Sequence, residues 1–157
     1  MDFPLSDFET VIKKAQKYCA YQERCQWDLE KKFRVWQVVE EIQDEVLADL
    51  ISQGFVNEER FAKHFASGKF RIKKWGKKKI QLELKKRQIS NYSINKAIEA
   101  IEDEEYDLTL QQLIQKKVKV IQAKNEFEKK QKLAQYLYSK GYENERIWNA
   151  IHSNDNE

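Results

Sequence analysis

The feature that most constrains this chain is a repeated spacing: a helix, a tight turn plugged by an apolar residue, and a second helix. It is clearest in IQLELKKRQISNYSINKAI (80–98) and LAQYLYSKGYENERIWNAI (133–151). Over equal lengths, Ile80 aligns with Leu133, Leu84 with Leu137, Ile89 with Tyr142, Ile94 with Ile147 and Ile98 with Ile151. VLADLISQGFVNEERFAKHF (46–65) matches at Val46, Leu50 and Phe55, then shifts by one residue to Phe61 and Phe65. A fainter copy has Leu29, Phe33, Val38 and Ile42. Such a helical pair has too little apolar surface to stand alone, so neighbours must stack to share a core. The spacing predicts three consecutive three-helix repeats over 6–54, 55–101 and 104–152, with the acidic run EDEEYD (102–107) between the last two.

Composition agrees with an all-α chain. Four Gly and one Pro leave few breakers, and Pro4 precedes the first expected helix. SDFE (6–9) reads as a capping box in which the Ser6 hydroxyl accepts the amide of residue 9 and Glu9 reaches back. Phe8, Val11, Ile12, Ala15 and Tyr18 follow at helical spacing. Asn57 and Ser90 are expected N-caps, and Gly54, Gly76 and Gly141 punctuate between helices. The polar ending SNDNE is expected to lack order. Strand alternation and hairpin signals are absent.

Several function classes are disfavoured. No apolar run approaches the roughly 20 residues that span a bilayer, and the acidic start MDFPLSDFET does not read as a secretory signal. Cys19 and Cys25 stand six apart with no histidine cluster, which suits reduced thiols in a cytoplasmic protein and not a metal set. His64 and His152 are isolated and read as structural or surface residues. There is no phosphate-cradling glycine loop and no nucleophile–base set, so neither catalysis nor a cofactor is expected.

Charge is where function shows. KFRIKKWGKKKIQLELKKR (69–87) holds ten Lys or Arg and one acid, a local +9 in a chain whose net charge is +3. Such segregation points to a polyanionic partner, a phosphate backbone above all. The candidate binding residues are Lys69, Arg71, Lys73, Lys74, Lys77, Lys78, Lys79, Lys85, Lys86 and Arg87. On a helix over 77–88, Ile80 and Leu84 fall on the buried face, and Lys78, Lys79, Lys85 and Lys86 fall opposite, with Leu82 among them. On the preceding helix, 57–73, Phe61, Phe65, Gly68 and Ile72 form one line, Gly68 serving a close helix approach. Phe70 points away from that line, among Lys63, Lys73 and Lys74. Phe70 and Trp75 can each stack on an exposed base or pack between repeats; for Trp75, beside Gly76, packing is the favoured reading. The acidic runs EEIQDE (40–45) and EDEEYD are expected to avoid DNA or to meet basic patches of a protein partner.

These residues carry a resemblance. GFVNEERFAKHFASGKFRIKKWGKKKIQLELKKRQIS (54–90) resembles the central signature of the RecX family, regulators of the RecA recombinase, with Gly54, Phe55, Phe61, Ala62, Gly76, Lys79, Ile80, Glu83, Leu84 and Ile89 in place. ERCQWDLEKKF (23–33) fits an earlier family segment through Arg24 and Leu29, and LYSKGYENERIWNAI (137–151) fits the C-terminal repeat. Asn57-Glu58 replaces the family's paired Asp, Gln26 and Asp28 replace its Ser and Glu, and Gln88 stands where Gly is usual, so a left-handed cap at Gln88 would be strained. The resemblance implies an elongated, curved stack of three-helix repeats, acting as a monomer. It also implies binding in the groove of the RecA–single-stranded DNA filament, with duplex DNA a further ligand, and inhibition of ATP hydrolysis and strand exchange. A generic helical nucleic-acid-binding module without a recombinase target is the alternative.

Overall fold

Asp7, Asn57, Ser90 and Asn125 each put a side-chain oxygen on the backbone amide three residues ahead, at 3.1, 2.9, 3.3 and 2.8 Å. Each begins a helix. The first starts one residue later than the sequence suggests: the Asp7 carboxylate, not the Ser6 hydroxyl, takes the Thr10 amide, and also the Thr10 hydroxyl. An ionised oxygen accepts more strongly than a hydroxyl, so the Ser6–Glu9 box does not form.

The computed structural model describes residues 4–155. Among them run α1 (Phe8–Tyr21), α2 (Gln26–Val35), α3 (Glu40–Ser52), α4 (Glu58–Lys73), α5 (Lys77–Lys86), α6 (Asn91–Glu99), α7 (Asp103–Val118), α8 (Glu126–Ser139) and α9 (Asn144–Asp155). The fold is all-α, and no strand forms among the described residues apart from one bridge between Leu5 and Val38. α9 continues into the polar ending, where Asp155 meets Lys130 at 2.5 Å; the last two residues of that ending lie outside the described residues.

Helices pack in threes. α1 and α2 lie on α3, α4 to α6 contact one another, and so do α7 to α9. α1–α3 enclose their own apolar cluster around Val11, Leu29, Phe33, Val46 and Leu50. α4–α9 share a second, from Phe61 and Ala66 through Ile80, Leu84 and Tyr106 to Tyr142, Ile147 and Ile151, with Cys25 reaching in from the start of α2.

The repeat shows most clearly at one turn. α2, α5 and α8 are each followed by a left-handed residue, Gln37 (φ 56°), Gln88 (φ 61°) and Gly141 (φ 102°). Next comes a buried plug, Val38, Ile89 or Tyr142, whose amide donates back to Phe33, Leu84 or Leu137 at 2.9, 3.1 and 3.2 Å. The same turn recurs after α3, where Gly54 (φ 80°) is left-handed and the Phe55 amide donates to Leu50 at 2.9 Å, but by place in the three-helix unit the counterpart of 80–98 and 133–151 is the fainter copy in α2–α3. The 46–65 segment runs from α3 into α4, leaving the first core at Val56 and entering the second at Phe61.

The inward face of α4 also differs from the expected one. Phe61, Ala62, Ala66 and Phe70 are buried, whereas Ile72 is 77% exposed and Phe65 half-buried. Gly68 meets no helix: a Cβ there would find nothing within 4 Å. It borders an open groove of about 430 Å³ between α4 and the α1–α2 connection, with Arg24, Lys69 and Ile72 on its walls.

Candidate nucleic-acid interface

α4 ends at Lys73, and Lys74 takes the left-handed cap (φ 60°), so the chain turns sharply through Trp75 and Gly76 into α5. This turn brings the cations of both helices together. Lys77, Lys78 and Lys79 fill the first turn of α5 with no acid among them. Positive charge at a helix N-terminus opposes the helix dipole by about 0.3–1 kcal/mol per group. α4 and α7 begin instead with Glu58-Glu59 and Asp103-Glu104-Glu105. α5 thus carries its charge against its own local interest.

Not every cation of the stripe faces solvent. The Lys77 side chain is only 15% exposed, lies 4.5 Å over the Tyr106 ring and reaches Asp103 at 3.4 Å. Arg87 pairs with Glu83 at 2.9 Å and stacks over Phe65 and Trp27. Arg71 faces Glu105 at 3.9 Å. The acidic start of α7 is thus engaged within the chain: Asp103 also takes Arg146, at 3.1 Å. Among the described residues, Lys69, Lys73, Lys74, Lys78, Lys79, Lys85 and Lys86 have no carboxylate within ion-pair distance.

The aromatic candidates separate. Phe70 is buried (2% exposed) against Tyr106, 5.7 Å between ring centroids, so it packs and is not open to a base. Trp75 is half-buried on the second core, edge-on to Phe65 at 6.4 Å, with the ammonium groups of Lys69 and Lys79 at 5.0 and 4.7 Å from its ring. It packs, and it holds two lysines in place.

Sequence inspection missed Lys140. Its ammonium donates to the Lys73 carbonyl at 2.9 Å. Burial lowers its pKa first, and repulsion from Lys79, Lys73 and Lys74 lowers it further. Four ammonium groups from two three-helix units thus converge. The repeat alignment contained the signal, since it sets Lys140 opposite Arg87, but Lys140 stands outside the basic run.

The thiols stay out of this chemistry. Burial pushes Cys19 up to about 11 and Cys25 up to about 12, which keeps both protonated and unreactive at neutral pH. Among the described residues no helix is long and apolar enough to cross a membrane.

Models of the second and third three-helix domains of RecX match residues 57–98 and 103–151. The regulatory protein RecX of Leuconostoc mesenteroides is 30% identical over 114 residues, covering 73% of this chain and 43% of that protein. The regulatory protein RecX of Caldanaerobacter subterraneus subsp. tengcongensis is 31% identical over 113 residues, covering 69% and 54%. The matched segment thus spans about half the length of these relatives. The crystal structure of RecX from Lactobacillus salivarius superposes with a TM-score of 0.84 at 23% identity, over 96% of this chain and 97% of that one. A second crystal structure of regulatory protein RecX also gives 0.84, at 20% identity, over 93% and 71%.

Proposed function

The chain belongs to the RecX family, and from that premise we propose that it binds the RecA–single-stranded DNA filament and inhibits the recombinase's ATP hydrolysis and strand exchange, without catalysing a reaction itself. The observation that carries this reading is the set of lysines without carboxylate partners on α4 and α5. Ammonium groups that the fold leaves unneutralised, two of them (Lys78 and Lys79) opposing a helix dipole, fit a surface whose counter-charge comes from elsewhere. Phosphates and acidic side chains in a filament groove supply it. Neutralising several phosphates releases counterions, so binding weakens steeply as salt rises.

The test follows single-stranded-DNA-dependent ATP hydrolysis by the cognate recombinase across a salt series, with binding to bare DNA measured alongside. Loss of hydrolysis at protein levels too low to coat the DNA is the expected result. Unchanged hydrolysis together with tight, salt-sensitive binding to bare DNA would overturn the recombinase reading in favour of a general nucleic-acid-binding module.

A further inference from the structure

The basic face does not stop at the second unit. Lys78 stands 5.7 Å over the ring of Tyr138, which lies on the last turn of α8 and is 59% exposed. Two residues on, Lys140 joins Lys73, Lys74 and Lys79. Lys140 and Lys117, the latter from the end of α7, flank the Tyr136 ring at 6.0 and 4.4 Å. The cations therefore run from α4 and α5 across the seam onto α7 and α8. Neither Lys117 nor Lys140 has a carboxylate within ion-pair distance among the described residues.

We propose that the third unit completes a single-strand subsite: Tyr138 stacks one unpaired base, and the flanking phosphates lie on Lys78 and on the Lys73–Lys74–Lys79–Lys140 cluster. This rests on the reading of the basic face as a nucleic-acid surface. Exposed tyrosines are ordinary, and Tyr92, 64% exposed, has Lys96 at 5.6 Å, but that lysine is one turn along the same helix. Tyr138 differs in that its cation comes from another unit, held there by the seam beside further unpaired ammonium groups. An aromatic face bordered by cations can take a base and its phosphates together. Stacking of this kind needs a base free of its partner, which selects single strands over duplex.

The experiment measures binding of a labelled oligothymidylate and of a strand of equal length without bases, by fluorescence anisotropy at fixed salt. Tyr138→Ala is expected to lose about fivefold or more on the oligothymidylate, the size of one base–aromatic stack. Tyr138→Phe keeps parental affinity, and on the baseless strand all three proteins bind alike. Lys140→Gln weakens both strands and lowers the salt slope by about 0.7, one phosphate contact on a single strand. Equal affinity of Tyr138→Ala and parent on oligothymidylate overturns the subsite, as does an equal loss on both strands or no binding to either. Recombinase inhibition that persists without Tyr138 dependence on bare DNA overturns the subsite alone. Tyr138 dependence without any effect on the recombinase supports the subsite and overturns the recombinase reading alone.

Discussion

Gly76 and Gly141 meet backbone to backbone where the second and third units join. The Gly76 amide donates to the Lys140 carbonyl at 2.8 Å, and the Lys78 amide donates to the Gly141 carbonyl at 2.9 Å. A Cβ on Gly76 would overlap the carbonyl group of Gly141 and the amide of Tyr142, and one on Gly141 would come within 2.6 Å of the Lys79 nitrogen. Around this contact the Tyr142 hydroxyl donates to the Lys74 carbonyl and the Lys140 ammonium to that of Lys73, both at 2.9 Å. The Tyr106 hydroxyl accepts the Lys77 amide at 2.9 Å and bonds Glu143. Residues 73–79, which bear half of the stripe's ten cations, are thereby held by the α8–α9 turn. A surface fixed in advance loses less freedom on binding.

Gly76, within that segment, and Gly68, on the helix before it, should respond oppositely to alanine. Gly76→Ala must part the seam, so stability read from the urea midpoint should fall by about 2 kcal/mol or more, as overpacking in a close contact does. Gly68→Ala enters open space within a helix and should gain about 1 kcal/mol. Equal midpoints for the two variants would mean that the seam is not closed in solution.

What was legible in the sequence divides along the same line. The anchors Ile80, Leu84, Leu133 and Leu137 are buried because apolar periodicity reports directly on burial. Asn57 and Ser90 cap helices because their signal is local. The buried face of α4 departs from its apolar line because Ile72 continues that line into solvent, while Phe70 turns in against Tyr106. Lys140 and the pairing of Lys77 with Asp103 depend on chain far away in sequence, which no local pattern encodes.

Gln88 carries a side chain at a left-handed position, φ 61°, one residue past the C-cap of α5. The corresponding position after α8 is Gly141, which has no Cβ to strain there. The Gln88 side chain is exposed, so Gln88→Gly removes strain and little else. It should raise stability by about 1 kcal/mol, read as a higher urea midpoint at unchanged slope. A lower midpoint would show that the side chain makes contacts outweighing its backbone strain.

Glu58 ties the start of α4 to the start of α6: its carboxylate accepts the Ser90 amide at 3.0 Å and the Ser90 and Ser93 hydroxyls at 2.8 Å each. Burial pushes its pKa up, but these three bonds outweigh it and hold the carboxyl below its usual range. A depressed carboxylate adds stability above the unfolded-state pKa and loses it as pH falls through the folded one. Glu58→Gln should therefore melt a few degrees below the parent at neutral pH, and the gap should close as the solution is acidified through the lowered pKa of the folded state. A gap independent of pH would assign the loss to geometry and not to charge.

Charge changes within the stripe should sort by what each cation already touches. Lys78, Lys85 and Lys86 are exposed and have no ion-pair partner among the described residues, whereas Lys79 is half-buried against Trp75. Reversing those three to Glu should therefore leave the melting midpoint nearly unchanged. The same variant should sharply weaken binding to the nucleoprotein filament at low salt, and the log–log salt dependence should flatten by roughly 0.7 for each phosphate of a single strand that is no longer neutralised. Arg87→Ala should do the reverse. Its guanidinium is committed to Glu83 and to the faces of Phe65 on α4 and Trp27 on α2, both packed against the second core. Removing it should cost about 1 kcal/mol of stability with little change in the salt slope. Calorimetry and a salt-series titration on both proteins decide the matter, and a triple reversal that binds as the parent does would remove this face from the interaction.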